Sequence, residues 1–232
     1  MSLPFVHLHV HTQYSLLDGA CRLQNLVEKA KAMGMPAVAM TDHGNMFGTV
    51  DFYEEAVTAK IKPIIGCEAY LSPTDRFDRT SAEQKATAHL VLLAKDRTGY
   101  QNLMQLVSTG YLEGFYYKPR IDKAILSKLS QGIIGMSACL KGEVAQKLLA
   151  NKYDEALKCA DDYRQIFGRG NFYLEVMDHG LPEQKLVNEG LLRLSRELDI
   201  PLVATNDVHY LEPDHAVPHE MLLCLQTQAK WS

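Results

Sequence analysis

The sequence has few cysteines, no excess of basic residues and no long apolar run, and each absence excludes a class of protein. No apolar stretch reaches the ~18 residues of a membrane-spanning helix, and the N-terminus lacks the basic and apolar regions of a signal peptide. Five scattered cysteines, an odd number, do not form the framework of a disulfide-rich secreted domain. We therefore expect a soluble protein of the reducing cytoplasm that does not bind membranes.

The charge balance excludes the broad basic surface of a general nucleic-acid-binding protein. Twenty-four basic and 28 acidic side chains give a formal net charge of −4. A phosphate-containing ligand would therefore have to be held locally, by metals or by a few cations. The length of 232 residues, with 47% hydrophobic residues, suits one α/β barrel. We expect a single domain over residues 1–232.

Short apolar segments alternate with helical patterns along the chain. Segments with the length and composition of β-strands lie at 5–9, 37–41, 63–66, 90–94, 133–137, 172–176 and 202–205. Amphipathic helical patterns lie between most of them, and a polar stretch at 72–85 predicts a mobile loop. This alternation predicts an α/β fold with seven strands in a parallel, barrel-like sheet.

Three histidines lie two residues apart in the N-terminal segment FVHLHVHT. Because residues two apart on a strand point to the same face, His7, His9 and His11 are expected on one side. Imidazole is the commonest metal-binding side chain. His7 lies deeper in the predicted strand, so we expect it to pack in the core or to support a ligand. The pattern predicts half of a metal site at His9 and His11.

The other half of the site is expected where further strands end, because parallel barrels build their sites at the carboxyl ends of their strands. Metal-binding side chains follow predicted strands two, three, five and seven, at His43, Glu68, Cys139, Asp207 and His209. His89 instead precedes the fourth predicted strand, so either that boundary is displaced or a short extra strand comes before it. The rim of the barrel would collect all of these side chains.

Each candidate also has a structural interpretation. Buried cysteines are usually packing residues, which we expect for Cys21, Cys67, Cys159 and Cys224 and which is an alternative for Cys139. Glu68 could begin a solvated loop, and Asp18, before Gly19, could only shape a turn. Asp42 is expected to point away from the site or to cap a helix. Surface or capping roles are expected for the remaining histidines, which are His179, His215 and His219.

The candidate ligands are too many for one ion and imply two or three. They are His9, His11, Asp18, His43, Glu68, His89, Cys139, Asp207 and His209. Imidazoles, carboxylates and one thiolate favour zinc, manganese or iron over magnesium or calcium. Ions held ~3.5 to 4 Å apart can activate a water molecule and stabilise the oxygens of a phosphoester. A polynuclear centre at a barrel rim therefore indicates catalysis rather than a structural site.

The motifs HLHVHT, TDHG, GCE and NDVH, with His89 and Cys139 between them, resemble the polymerase and histidinol phosphatase (PHP) family. Longer runs, including TDHGNMFGTVDFY, IKPIIGCEAYL and GFYYKPRID, are similar to the PHP domains of bacterial DNA polymerase III alpha subunits. The resemblance implies a distorted seven-stranded (βα)7 TIM-like barrel with three metals. It assigns one metal to His9, His11, Glu68 and Asp207, a second to Glu68, His89 and Cys139, and a third to Asp18, His43 and His209.

The same resemblance implies a metal-dependent 3′-5′ exonuclease that proofreads DNA 3′ ends. Its expected partners are the DNA 3′ end, the remaining domains of the polymerase subunit and other replisome proteins. No aspartates for nucleotidyl transfer are identifiable, so we expect an N-terminal piece of a longer subunit that does not polymerise DNA alone. Two alternatives stay open: a non-catalytic, metal-stabilised docking domain, and a phosphatase for a small monoester such as histidinol phosphate.

The segment YYKPRID supplies candidate substrate contacts. Lys118 and Arg120 are expected to hold phosphate, and Tyr116 or Tyr117 could stack on a base. A Lys-Pro-Arg turn is also typical of an ordinary solvated loop, which is the structural alternative.

Overall fold

The computed structural model describes residues 5–16, 18–79 and 87–231. These ranges contain eight strands and eight α-helices. The strands are β1 (Ala37–Met40), β2 (Lys62–Leu71), β3 (Ala88–Ala94), β4 (Phe115–Tyr116), β5 (Lys118–Ile121), β6 (Ile133–Met136), β7 (Phe172–Val176) and β8 (Leu202–Ala204). The helices are α1 (Leu23–Ala32), α2 (Thr49–Ala59), α3 (Arg97–Leu112), α4 (Lys123–Leu129), α5 (Glu143–Leu149), α6 (Tyr153–Phe167), α7 (Pro182–Leu198) and α8 (Ala216–Thr227).

Local sequence signals explain where several helices begin and which face they bury. Asp96 and Asp122 precede α3 and α4, and each carboxylate accepts a main-chain N–H of the first turn at 2.9 Å. Pro182 opens α7, where its missing N–H costs no hydrogen bond. The buried residues of α1 recur at helical spacing, at Leu23, Leu26, Val27 and Ala30.

The strands form one curled sheet in the order β4-β5-β2-β3-β6-β7-β8, and β1 pairs with the first half of β2. Neighbouring strands are parallel at β1–β2, β2–β5, β6–β7 and β7–β8. Helices pack on the outside, where one apolar cluster lies under α3 to α7 and a second lies under α1 and α2. The predicted fold, a distorted α/β barrel of the TIM-like kind, is confirmed.

The first predicted strand is not a regular strand, although the chain at 5–12 occupies a strand's place. On one side, the N–H groups of Ala39 and Thr41 donate to the carbonyls of His7 and Val10, both at 2.9 Å. On the other side the segment pairs with Val208, whose N–H donates to His9 O at 3.0 Å. The prediction of a regular strand at 5–9 is therefore wrong, but this segment joins β1 to the chain that follows β8.

Strand β3 runs antiparallel to both neighbours, β2 and β6, which corrects the prediction of an all-parallel sheet. Its first residues therefore lie at the rim where β2 and β6 end, with His89 opposite Tyr70. Residues 72–79 before it contain only turns and bends, and the rest of the predicted loop at 72–85 lies outside the described residues. The hairpin of β4 and β5 was not predicted.

None of the helices in the described ranges is both long enough and apolar enough to span a membrane.

Candidate metal centre

A cavity of about 560 Å³ opens at the rim formed by the carboxyl ends of the parallel strands. Its walls come from the loops after β1, β6, β7 and β8, from the start of β3 and from α8. Six of the predicted ligands line it, namely Asp18, His43, His89, Cys139, Asp207 and His209. The other three, His9, His11 and Glu68, are fully buried beneath it.

Glu68 lies at the centre of the cluster. Its Oε2 is 2.5 Å from His43 Nδ1 and 2.9 Å from His89 Nδ1, and its Oε1 is 3.2 Å from His9 Nε2. The residue lies inside β2 rather than after it, because β2 is longer than predicted. One carboxylate thus faces three imidazoles from different elements, an arrangement suited to bridging two cations.

His9, His11 and Asp207 form a second close group. Asp207 Oδ1 is 3.2 Å from His9 Nε2 and 3.1 Å from His11 Nε2, and these two ring nitrogens are 3.1 Å apart. Asp207 has a positive φ of 46°, a backbone conformation that is uncommon for residues other than glycine. This turn follows β8 and directs the carboxylate back onto the N-terminal segment.

Asp18, His43 and His209 form the outer part of the cluster. His43 Nε2 is 3.1 Å from Asp18 Oδ2. The His209 ring stacks on that of His11, with centroids 4.2 Å apart, and the His43 ring lies 4.0 Å from His11. His89 and Cys139 complete the set, with Cys139 Sγ 4.0 Å from His89 Nδ1.

The structure thus brings all nine predicted residues around one cavity, although its closest groups differ in part from the sets implied by the resemblance. Potential ligand atoms lie within 4.8 Å of one another in three triplets: His9, His11 and Asp207; His43, Glu68 and His89; and His11, His43 and His209. His43 faces Glu68 as well as Asp18. It could therefore contribute to either of two neighbouring ions.

The hydrogen bonding of the buried carboxylates tests whether metals fit this site. Asp18 Oδ1, both oxygens of Glu68 and Asp207 Oδ1 are buried, and none makes a well-aligned hydrogen bond among the described residues, although imidazole nitrogens lie 2.5 to 3.2 Å from the oxygens of Glu68 and Asp207. A buried carboxylate oxygen without a donor is strongly disfavoured. Divalent cations between these oxygens and the imidazoles would remove that penalty, so the donor set fits the expected metals.

The electrostatics favour ionised carboxylates beside imidazoles of different protonation. Burial alone would raise the pKa of Glu68, but the neighbouring His89 and His43 outweigh it and lower the pKa well below its usual range. Burial, with His43 close by, lowers the pKa of His11 to about 3. Burial would also lower the pKa of His43, yet Asp18 and Glu68 raise it to about 9. The neutral His11 ring keeps a lone pair for a metal.

Two carboxylates that are not predicted ligands orient the imidazoles. Glu175 Oε1 is 2.7 Å from His9 Nδ1, and Thr205 Oγ1 donates to the same oxygen. Asp42 accepts the hydroxyl of Ser15 at 2.7 Å, and Ser15 Oγ is 3.0 Å from His11 Nδ1. Sequence reasoning missed Glu175, although an acidic residue inside the apolar strand FYLEV is an unusual feature that could have been noticed.

Asp42 caps the turn after His11 rather than a helix. Its two oxygens accept the N–H of Thr12 at 2.6 Å and its hydroxyl at 2.7 Å. His179 is exposed, in keeping with the expected surface role, and His219 is half-buried; both line the cavity together with Lys141, a position that was not predicted. The predicted packing roles of Cys21, Cys67 and Cys159 agree with their burial.

Lys118 and Arg120 differ in their position relative to the site. Lys118 is exposed, with Nζ 3.4 Å from the hydroxyl of Tyr70, whose ring packs against His43. Arg120 is fully buried, and its guanidinium donates to three main-chain carbonyls, those of Arg76, Asp78 and Gly114. The structure therefore corrects the expectation that Arg120 holds a substrate phosphate.

The two tyrosines of the same segment lie at the surface. Their rings meet edge to face with centroids 4.7 Å apart, and Tyr117 is 64% exposed. The Tyr116 ring also lies 5.2 Å from the Arg120 guanidinium. Tyr117 is thus the more accessible of the two predicted stacking residues.

The chain is similar in sequence to bacterial replicative polymerases. It is 48% identical to the DNA polymerase III subunit alpha of Borreliella burgdorferi, over 98% of this chain and 20% of that protein. It is 51% identical to the corresponding subunit of Deinococcus radiodurans, over 97% of this chain and 17% of that protein. The chain thus spans about a fifth of the length of these curated relatives.

Solved structures show the same fold at low sequence identity. A proposed metal-dependent phosphoesterase from Bifidobacterium adolescentis matches with a TM-score of 0.57 and 17% identity, over 91% of this chain and 90% of that one. An amidohydrolase from Chromobacterium violaceum matches with a TM-score of 0.51 and 14% identity, over 94% of this chain and 96% of that one.

The family model for the PHP domain matches residues 7–179, a range that holds seven of the nine clustered side chains. The polymerase relatives confirm the resemblance inferred from the longer motifs. This chain therefore belongs to the PHP domain family.

Proposed function

We propose that this chain is a metal-dependent phosphodiesterase which, as the PHP domain of a longer DNA polymerase III alpha subunit, removes nucleotides from DNA 3′ ends. The observation that carries the proposal is the group of buried carboxylate oxygens on Glu68 and Asp207. These oxygens lie 2.5 to 3.2 Å from imidazole nitrogens but make no well-aligned hydrogen bond among the described residues. Two or three zinc, manganese or iron ions suit this donor set. Such ions would lower the pKa of a water molecule and neutralise phosphate charge.

The protein's own residues would orient the ligands and receive the substrate. Glu175 and Ser15 hold the outer nitrogens of His9 and His11, so that both Nε2 atoms face the cluster. Lys141 is an exposed residue on the cavity wall, and its ammonium group could contact a phosphate there. Lys118 could do the same beside Tyr70 at the edge of the site.

DNA is proposed as the substrate because of the chain's relatives and the shape of its site. The relatives are polymerase subunits, and they favour a DNA 3′ end, with other polymerase domains and replisome proteins as partners. The cavity of about 560 Å³ lies within the ~300–1,000 Å³ typical of ligand pockets. It is open to solvent, so one terminal nucleotide could enter while the rest of the strand stays outside.

The test is nuclease activity on a 5′-labelled single-stranded DNA after loading with manganese or zinc. We expect the wild type to shorten the DNA from its 3′ end, and Asp207→Asn to lower the rate by about 100-fold or more while staying folded. Glu189→Gln, an exposed change on α7, is the matched control and should not alter the rate. Intact DNA after incubation with folded, metal-loaded wild type would contradict the proposal.

A non-catalytic docking domain is the second candidate, and α8 is the observation that favours it. Val217, Met221 and Leu225 lie on one face of this helix and are 50%, 44% and 69% exposed, which is typical of a surface that another domain covers. Metal removal would then lower the melting temperature, but no hydrolysis would be detectable under any condition. Assaying a phosphomonoester and a DNA 3′ end side by side distinguishes a small-molecule phosphatase from the nuclease and from the docking domain.

A further inference from the structure

Asp18 is held by α8, a helix that lies about 200 residues further along the chain. His219 Nε2 donates to the main-chain oxygen of Asp18 at 2.8 Å, and Gln226 Nε2 donates to its carboxylate oxygen Oδ2 at 2.8 Å. These two side chains are seven residues apart, so they lie on the same face of the helix. That face closes one wall of the cavity.

The contacts of α8 concentrate on one part of the cluster. The His219 ring packs edge-on against His209, with centroids 5.7 Å apart. Asp18 Oδ2, which accepts from Gln226, also lies 3.1 Å from His43 Nε2. Asp18, His43 and His209 therefore form one outer subsite, and α8 contacts two of its three members.

The arrangement of Asp18 indicates that this subsite takes a cation. Asp18 is only 7% exposed, and its Oδ1 is buried without a hydrogen-bond partner among the described residues. Gln226 occupies Oδ2 and thereby fixes the plane of the carboxylate. A preorganised carboxylate binds a metal more tightly than one that must first be ordered.

The rest of α8 contributes little to hold the helix in place. None of its described side chains is fully buried, whereas α1 and α6 each bury several apolar residues. Hydrophobic burial therefore stabilises its position less than it does for these helices. The hydrogen bonds of His219 and Gln226 to Asp18 are accordingly important for its docking.

We propose that His219 and Gln226 are positioning residues for Asp18, and that docking of α8 controls the occupancy of the subsite formed by Asp18, His43 and His209. This inference rests on the metal centre of the proposed function, but it does not require nuclease activity. The two inner groups, around Glu68 and Asp207, would keep their ions when α8 is displaced.

The experiment is metal titration of the full chain, with manganese or zinc, followed by elemental analysis. We expect Gln226→Leu and His219→Leu to bind about one ion per chain fewer than the wild type, or to bind the last ion at least ~10-fold more weakly. His219→Gln keeps a side-chain donor and should recover part of the affinity. Glu220→Gln, exposed on the same helix, is the control and should match the wild type.

Unfolding of the metal-free proteins separates positioning from general destabilisation. All four variants should melt within a few degrees of the wild type without metal, because the side chains concerned are not part of the core. Unchanged stoichiometry and affinity in both leucine variants would overturn the inference, as would a wild type that binds fewer than three ions. A protein that binds three ions but cleaves no DNA would refute the nuclease proposal and leave this one intact.

Discussion

A histidine binds metal with a defined direction when its second ring nitrogen is already occupied. Glu175 Oε1 lies 2.7 Å from His9 Nδ1, which leaves Nε2 facing Glu68 and Asp207. The same carboxylate accepts the hydroxyl of Thr205, so its own position is fixed. A carboxylate in this place also makes the imidazole a more basic ligand.

Glu175→Gln should therefore weaken metal binding without unfolding the protein. The amide oxygen can still accept from His9, but the negative charge is lost. We therefore expect metal affinity to fall about 10-fold, the lower end of the range for changes to groups that hydrogen-bond a metal ligand. Competition with a chelating dye measures it. Glu189→Gln removes an exposed charge on the next helix and serves as the control. Equal affinities of both variants would show that Glu175 does not support His9.

The sequence around Arg120 does not indicate that its side chain is buried. It looks like part of a solvated turn, yet β5 pairs with the end of β2 and removes its side chain from solvent. Arg120→Ala would leave three main-chain carbonyls with one donor fewer each and would open a cavity at a fully buried position, so we expect the free energy of unfolding to fall by about 3 kcal/mol.

Urea denaturation measures that loss of stability for Arg120→Ala. Nuclease kinetics, at a temperature where the variant stays folded, test whether Arg120 contacts the substrate. The Michaelis constant for DNA should not change, because the guanidinium is directed at the main chain of its own domain. A variant that is as stable as the wild type but has a raised Michaelis constant would restore the original expectation of phosphate binding.

The sequence is most informative about the ligands themselves. The period of two at His9 and His11, and the position of His43, Asp207 and His209 after apolar segments, were enough to predict one shared rim. The partners that orient them could not be predicted in the same way, because the contact of Glu175 with His9 depends on how distant strands pack rather than on any local pattern.

Among the strands and helices, the direction of β3 was the main feature that could not be predicted. An apolar run such as 90–94 predicts a strand equally well in either direction, since its local pattern does not depend on its neighbours. Because β3 is antiparallel, its first residues lie at the same rim as the last residues of β2 and β6. The antiparallel direction of β3 also explains why His89 precedes its strand, whereas the other candidate ligands follow theirs. It nevertheless lies 2.9 Å from Glu68.

Asp122 connects two elements and gives a prediction for the pH dependence of stability. It caps α4 through Ile125 N–H, and its Oδ2 accepts from both the main chain and the guanidinium of Arg76. Burial alone would raise its pKa, but these donors outweigh it and lower the pKa of Asp122. The carboxylate therefore stabilises the fold above its unfolded pKa of ~3.9, and this contribution is lost as the pH falls through the lower folded value.

Asp122→Ala should lower the free energy of unfolding by about 1 to 2 kcal/mol at neutral pH. The difference from the wild type should shrink as the pH falls from ~4 through the lower folded pKa of Asp122, because the native carboxylate becomes protonated there. Urea denaturation at several pH values measures both effects, and Glu54→Gln, exposed on α2, provides the control. A difference that stays constant down to pH ~2 would contradict the assignment, because it would mean that ionisation of Asp122 is irrelevant.

The candidate centre joins the N-terminal segment of the barrel to the chain that follows β8. His9 and His11 lie near the N-terminus and Asp207 and His209 near the C-terminus, and the N-terminal segment joins the sheet between β1 and Val208. The N-terminal segment forms no regular strand, but main-chain hydrogen bonds join it there to Ala39, Thr41 and Val208. Ions shared by these residues would add a strong link across the place where the barrel is closed.

Removing metal should therefore lower the stability of the entire fold. An ion present at ~100 times its dissociation constant adds about 2.7 kcal/mol if it binds only the folded state. For a domain of this size that corresponds to a fall of about 5 to 10 °C in melting temperature on chelation. Scanning calorimetry before and after chelation, and again after adding back manganese or zinc, measures the change. Magnesium should restore less, because the imidazole and thiol ligands do not suit it, and Asp207→Asn should respond weakly to every ion. A wild type that melts at the same temperature with and without metal would show that the cluster does not close the barrel through ions.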